Sequence, residues 1–591
     1  MSDWSLEAGN EWVARDPFGS VKPADVTAAA FDVGDGRAVR LRAARNGYAS
    51  LRLWVSGQGA YEFSVDPPPG LEIDLLRAWY HKMAVEGAPD YCVDALIPVE
   101  PAAPQQLPDP DNAVPGQTHQ EFWVDVFVPP NAAVGRVEGK IVLTAGGATI
   151  ELPLAVDVLE AVVPDEDAVL VDHNSYGCRW VEQHYPGLFA GCSGEDDRDA
   201  RRIEVLHQYY RICHEHRGQL SNLGCGHHGG FDRIYGPRTT GAGRTKALTD
   251  WQWFDRHYGP LLDGSAFATA GAGAPRPRRP ARPVWGVYTP ITPAWPADYL
   301  HWGRAGYEVE FNRCVGEFDA HFREKGWLTT HPYFFFNHKK RYRWFEWDGD
   351  EPKHAKDHAY YVEMGRLFRQ AVGDTPVPWL FRMDASWQMK NEWSALAGIV
   401  DYWVCGGFFR WYPRESRAVL DRGDVVWTYS GTPPIHQTSS AVLEHVWRIW
   451  ARGVHGHCDW LSVSPGRDVW NACDGAPVCT VYPGERFGIA GPIPSVRLKL
   501  KRNAVQDVNL IDAAARAAGR LDDTRRRLAD AASVVLWEEP PPIVREAPPE
   551  QWDSANLAAG SQDDTMSDHA GLDPLWWAPI RRAALDEEVT S

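Results

Sequence analysis

Apolar and polar positions alternate in short runs through the first 160 residues: Tyr48-Ala-Ser-Leu-Arg-Leu-Trp-Val55, Glu121-Phe-Trp-Val-Asp-Val-Phe-Val128, Gly139-Lys-Ile-Val-Leu-Thr144 and 150–158. A period of two, with Gly and Pro between the runs, predicts strands that each bury one face, and no long helical pattern interrupts them. Residues 1–160 are therefore expected to form an antiparallel β-sandwich, with the Pro-, Gln- and Asp-rich stretch 98–118 as a long loop inside it.

Beyond Pro164 the texture changes. Apolar runs at 168–176, 218–223, 284–291, 333–337, 377–383, 399–404, 425–429 and 458–463 alternate with segments of helical period. Ile203, Leu206, Tyr210 and Cys213 fall on one helical face; Tyr361, Met364, Phe368 and Val372 on a second; Leu443, Val446, Trp447 and Trp450 on a third. Eight strands separated by amphipathic helices predict a (β/α)8 TIM-type barrel over 165–535, closed by a helix beginning near Pro494. The Ala/Gly/Pro/Arg-biased stretch 264–283 has no packing pattern and reads as a loop. The tail, 536–591, is rich in Pro, Asp and Ala and reads as partly docked through Leu575-Trp576-Trp577.

Composition narrows the function classes. With 44% hydrophobic and 24% charged residues the chain is ordinary globular material. Its 28 Trp, beside 21 Tyr and 21 Phe, favour an oligosaccharide or glycoconjugate partner, since aromatic faces stack on the C–H faces of sugar rings; barrels and sandwiches also bury many aromatics. A net charge of −19 disfavours nucleic acid and anionic membranes. There is no apolar run of membrane-spanning length and no basic-then-apolar leader. The ten Cys have no CxxC spacing, which fits reduced thiols and a cytoplasmic location. An oligomer is compatible with all of this.

In such a barrel the chemistry sits just past the carboxyl ends of the strands. That rule selects Asp172, His173, Asn174 and Tyr176, in which the first strand ends, Asn337 and His338 at the end of the fourth, and Asp384 at the end of the fifth. Tyr429 ends the seventh strand, and the eighth carries Trp460. These, with Trp347, are the candidate substrate contacts. The segment Trp344-Phe-Glu-Trp-Asp-Gly-Asp-Glu-Pro352 crowds carboxylates and aromatics into nine residues. Glycoside hydrolysis needs an acid for the leaving oxygen and a second group for the oxocarbenium-like centre. Asp350 and Glu351 supply two carboxyls, but neighbours in sequence do not bracket a sugar from opposite faces. Adjacency suits substrate assistance better: a 2-acetamido oxygen attacks the anomeric carbon, one carboxylate steadies the amide, and the other is general acid/base. The competing reading of the segment is a solvated acidic turn before a helix. The basic run His338-Lys-Lys-Arg-Tyr-Arg343 is either a solvated turn, a site for an anionic sugar, or a device that keeps Glu351 ionised. His214, His216, Cys225, His227 and His228 are metal-ligand types without a compact motif, and no metal or cofactor is expected.

The chain resembles glycoside hydrolase family 123 and its relatives over most of residues 40–515. The resemblance is carried by Gln120-Glu-Phe-Trp-Val-Asp-Val-Phe-Val-Pro129 with Gly135-Arg-Val-Glu-Gly139, Asp172-His-Asn-Ser-Tyr176, and Tyr258-Gly-Pro-Leu-Leu-Asp-Gly-Ser-Ala-Phe267. It continues through Phe334-Phe-Phe-Asn337, Asp350-Glu-Pro352, and Gly491-Pro-Ile-Pro-Ser-Val-Arg-Leu-Lys with Gln506-Asp507. It implies a sandwich-plus-barrel architecture and an exo-acting, retaining β-N-acetylgalactosaminidase-like activity, with Asp350 orienting the acetamido group and Glu351 as acid/base. Two alternatives stay open. One is a glycosidase on a neutral or acidic sugar, pairing Glu351 with Asp384 or Asp172. The other is a non-catalytic carbohydrate-binding or assembly protein on the same scaffold.

Overall fold

A computed structural model of the chain describes residues 4–30, 33, 38–100, 102–224, 233–241, 247–269, 277–289, 307–339, 347–352, 355–385, 393–406, 413–464, 469–470, 479–537, 573 and 575–586. The first ten strands are β1 (Ser5–Asn10), β2 (Val39–Arg45), β3 (Gly47–Ser56), β4 (Gly59–Asp66) and β5 (Glu72–Lys82), then β6 (Tyr91–Pro98), β7 (Gln105–Leu107), β8 (His119–Val128), β9 (Gly135–Ala145) and β10 (Ala148–Val162). They make two five-stranded sheets, ordered β1-β3-β8-β5-β6 and β2-β10-β9-β4-β7. Alternation does what the sequence requires: Leu51, Leu53, Val124 and Val126 of one sheet share a buried core with Phe63, Leu143, Leu154 and Val156 of the other. Two details differ from the expectation. β2 pairs with β10 in parallel, because the chain changes sheets at Asn46, which adopts φ 57° between β2 and β3. And 98–118 is not all loop: Gln105–Leu107 pairs with Gly59–Tyr61 as an edge strand, its Leu107 wholly buried.

The second half builds β11 (Leu170–Tyr176), β12 (Gly218–Leu223), the hairpin β13 (Arg238–Thr240) and β14 (Ala247–Asp250), and β15 (Gly286–Tyr288). Then come β16 (His331–Phe335), β17 (Leu380–Ala385), β18 (Tyr402–Cys405), β19 (Val425–Ser430) and β20 (Gly456–Asp459). Eight of these form one parallel sheet, ordered β12-β11-β20-β19-β18-β17-β16-β15. This barrel is nearly closed; across the gap between β12 and β15, the Trp285 amide donates to Gln219 Oε1 at 3.1 Å. The predicted strand at 458–463 begins earlier and leaves the sheet after Asp459, where the Trp460 amide caps Ser430 O and the Ser462 amide caps Asn174 O, each at 3.0 Å. Residues 290 and 291 of the third predicted strand lie outside the described residues.

Inside the barrel, Tyr333, Phe335, Tyr402, Trp427 and Cys458 form a separate apolar cluster. Arg382 stands within it, its guanidinium 4.4 Å from the Phe335 ring centre and 5.4 Å from those of Tyr333 and Tyr402.

The closing helix, Val496–Ala517, is capped by Ser495 Oγ, which accepts from the Leu498 amide at 3.0 Å. Its first four turns are buried although they carry Arg497, Lys499, Lys501 and Arg502. Each charge is met. Arg502 and Lys499 bind Asp125 of β8 at 2.7 Å, and Arg497 binds Asp94 of β6 at 2.7 Å. The helix is thus the polar seam between barrel and sheets, and stripping Asp94 or Asp125 would leave buried cations without their carboxylate. The tail docks here too: Trp577 is fully buried beside Trp447, and Arg581 binds Glu11 at 2.6 Å. No described helix is long and apolar enough to cross a membrane, and no disulfide joins the described cysteines.

Candidate active site

The Asp350–Glu351 turn is held from beneath. His338 O accepts from both the Gly349 and Asp350 amides at 3.0 Å. Gly349 is needed there, because a Cβ would lie 2.4 Å from the His338 ring and 2.5 Å from Phe336 Cβ. Tyr361 donates its hydroxyl to Gly349 O. Trp347 is buried, stacked on Tyr360 at 5.0 Å and edge-on to His338 at 4.6 Å. His338 and Trp347, both expected to touch substrate, are therefore packed supports of the turn. The next residue, Glu351, has φ 55°. A non-glycine residue in the left-handed region costs roughly 1–2 kcal/mol, so the surrounding packing must impose that conformation.

Above this turn the charges converge. Lys339 Nζ lies 2.5 Å from Glu351 Oε2 and 3.3 Å from Asp350 Oδ2. Burial lowers the affinity of Lys339 for its proton, but the two carboxylates outweigh burial and leave it above the ordinary lysine range. Tyr429, near the end of β19, donates its hydroxyl to Glu351 Oε1. On β17, Asp384 accepts a two-pronged pair from Arg382, at 2.7 Å and 3.0 Å. Burial pushes the Asp384 carboxyl up to about 6; Arg382 pulls it down, and Asp350 and Glu351 push it further up.

On β11 the period of two sorts the predicted residues. Asp172 points inward below the mouth, where burial raises its carboxyl to about 6 against the pull of Ser221, Arg382, Gln219 and Cys458. Asn174 also points inward, its Nδ2 3.6 Å from Cys458 Sγ. Tyr176 reaches the rim, where its hydroxyl accepts from Trp460 Nε1 at 3.2 Å. Trp460 is 45% exposed. Asn337 is buried at the end of its strand.

His173 faces the other way, out of the barrel wall. Its Nδ1 is 3.1 Å from Ser462 Oγ and 3.6 Å from Asp459 Oδ2, inside a sealed cluster with His445, His457 and Lys501. His457 Nε2 and His445 Nδ1 stand 3.2 Å and 3.7 Å from Asp459 Oδ1, and Lys501 bonds Asp459 Oδ2. Among the described residues these two histidines and Asp459 are the grouping with metal-ligand geometry. Lys501 already balances the one carboxylate, so no net negative charge remains for a dication. Burial drives the His445 imidazole down to about 3 and the His173 imidazole to about 4, while Lys501 and the imidazoles outweigh burial and hold Asp459 well below the carboxylate range.

The histidines singled out earlier are engaged elsewhere: His214 Nε2 with Pro280 O at 3.0 Å, and His216 Nδ1 with Ile212 O at 2.7 Å. Cys225, His227 and His228 lie outside the described residues, as do 340–346. Lys339 belongs to the basic run already weighed as a device that keeps Glu351 ionised, and it is the member of that run that meets the pair among the described residues; Arg382 and Lys501 were not singled out. Arg382 was within reach, because i and i+2 on a strand share a face and Asp384 was already chosen. Lys501 was not, being 42 residues from its partner Asp459.

No family model and no curated protein matches the chain. Among solved structures, a putative alpha-galactosidase from Bacteroides fragilis is 10% identical over 79% of this chain and 77% of its own, with a TM-score of 0.25. The N-terminal endo-1,4-beta-D-xylanase 10B of Clostridium thermocellum is 9% identical over 86% and 93%, with a TM-score of 0.29. Neither similarity is close enough to argue from. A family 123 glycoside hydrolase from Clostridium perfringens, an enzyme of glycolipid glycan hydrolysis, is 12% identical over 89% of this chain and 91% of its own, with a TM-score of 0.59. Over nearly its whole length, then, the chain is similar in fold to a family 123 glycoside hydrolase.

Proposed function

We propose that the chain is a glycoside hydrolase, its facing sheets and barrel being the β-sandwich and (β/α)8 barrel of that architecture. The observation that carries this reading is the adjacent pair Asp350–Glu351, clasped by one lysine at the carboxyl ends of parallel strands. The similarity in fold to a family 123 enzyme supports it. The substrate is a β-linked terminal N-acetylhexosamine, N-acetylgalactosamine-like, on an oligosaccharide or glycoconjugate.

Asp350, nearly buried, orients the 2-acetamido group so that its carbonyl oxygen attacks the anomeric carbon. Glu351 protonates the departing oxygen, then takes a proton from the water that opens the cyclic intermediate, and two inversions give net retention. Tyr429 fixes the Glu351 carboxyl, and Trp460 offers an apolar face to the sugar. The scheme uses no metal or organic cofactor. A second reading rests on the raised carboxyl of Asp384, which responds to both Asp350 and Glu351: Asp384 would act with Glu351 on a sugar without the acetamido group.

A panel of aryl β-N-acetylhexosaminides, hexosides and uronides tests both readings. Wild type should turn over the acetamido sugars. Glu351→Gln should lose about 10²–10⁴-fold on poor leaving groups and far less on activated aryl groups; equal losses on both would end its acid role. Asp350→Asn should harm only acetamido substrates. Turnover confined to hexosides or uronides would favour the Asp384 scheme, and sugar binding without turnover would favour a binding protein.

A further inference from the structure

Glu351 has a demanding task on the proposed reading: it must carry a proton at the moment the leaving group departs, in a site that already contains Asp350 and Asp384. Among the described residues, Lys339 is the cation in contact with both members of the pair, at 2.5 Å from Glu351 and 3.3 Å from Asp350. The contact is sheltered, with side-chain exposures of 16% for Lys339 and 18% for Glu351, so solvent screens it only in part. Lys339 follows directly on His338, whose carbonyl anchors the Gly349 and Asp350 amides. Its backbone and the carboxylates are thereby tied to one frame.

We infer that Lys339 is a positioning residue that sets the pH range of the active site, holding Glu351 and Asp350 by charge and yielding Glu351 when a substrate enters. This rests on the reading of Asp350–Glu351 as the catalytic pair. The other groups facing Glu351 act differently. Tyr429 donates a neutral hydrogen bond. Asp384 adds negative charge that Arg382 largely answers. Tyr176 stands near Asp350 and carries no charge, burial raising its phenol well above the usual range. Among the described residues, Lys339 is thus a cation that opposes both neighbouring carboxylates.

The sign follows directly. An ammonium beside a carboxyl favours the ionised form, so removing it makes both Glu351 and Asp350 hold protons to higher pH. A general acid that keeps its proton longer moves the alkaline limb of the pH–rate profile upward; an orienting carboxylate that ionises later moves the acid limb the same way.

The test is the kcat/KM profile on an aryl β-N-acetylhexosaminide for wild type, Lys339→Met and Lys339→Arg. In Lys339→Met the whole bell should move to higher pH by at least about one pH unit, the alkaline limb further because Glu351 is the closer partner. Lys339→Arg keeps the cation and should keep the bell in place. A Lys339→Met bell superimposed on that of wild type overturns the inference, as does an equal displacement in Lys339→Arg. Lys339→Gln replaces the Met variant if that one fails to fold. Carbodiimide labelling of Glu351, followed by peptide mass spectrometry against pH, reads the same effect without turnover. Its midpoint should rise in Lys339→Met, and an unchanged midpoint counts against Lys339 even where no glycoside is cleaved, an outcome that would by itself sink only the proposed activity.

Discussion

Two carboxylate–lysine pairs flank the barrel wall, one on each side. At the mouth, Lys339 meets Glu351 with both side chains partly open to solvent. Behind the wall, Lys501 meets Asp459 with exposures of 1% and 0%, in a pocket of histidines. The chemistry of the two pairs is the same, and their surroundings are not. A sealed pair fixes structure because neither ion has an alternative, whereas an accessible pair can exchange its partner for water or a ligand. The strand period decides which side a residue serves: Asp172 and His173 are neighbours, yet one faces the lumen and the other the sealed cluster.

The largest effect should come from breaking the sealed pair. Lys501→Met leaves Asp459 buried without its cation and should lower stability by about 3–5 kcal/mol. Lys339→Met should lower it by no more than about 1 kcal/mol, since water reaches Glu351. Denaturant titrations of the two variants check this, and equal losses would mean that the mouth pair is structural too.

A smaller, pH-dependent effect is expected within the lumen. Burial raises the folded-state carboxyl of Asp172 from 3.8 to about 6. Between those values the folded chain binds a proton that the unfolded chain has lost, so the contribution of this group falls as pH rises through the window and stays low above it. Asp172→Asn removes that loss. Its Tm relative to wild type should climb from pH 4 to pH 6, by the equivalent of at most about 3 kcal/mol. A difference that stays flat across the window would show that the lumen holds Asp172 ionised at no cost.

The smallest effect belongs to the rim. Trp460→Ala should raise KM about fivefold, in line with about 1 kcal/mol for a lost stacking contact, and leave Tm nearly unchanged because the ring is already half in solvent. An unaltered KM would remove Trp460 from the sugar-binding surface.

Much of this was legible in the sequence. The period-two runs of 48–55 and 121–128 and the eight apolar runs after Pro164 place the strands in order, because each element's hydrophobic period is a local property. Asp350 and Glu351 stand out because carboxylates and aromatics crowd one short segment between a barrel strand and the next helix, although an acidic turn alone would read as solvated. Other assignments could not be read locally. Trp347 and His338 look like site residues but pack under the turn; the helix 496–517 reads as a closing helix, and its burial together with its charges is not visible in its own sequence. Each of those side chains is placed by a partner distant in sequence: Asp94 and Asp125 for the closing helix, Tyr360 for Trp347.

By itself, then, the sequence determined the elements, their order and the acidic pair, since local periodicity and residue type suffice for those. Only the tertiary structure decided which face each polar residue serves and which lysine answers which carboxylate. Electrostatic pairing and burial depend on distance in space, and residues 339 and 351, or 459 and 501, become neighbours only when the chain closes on itself.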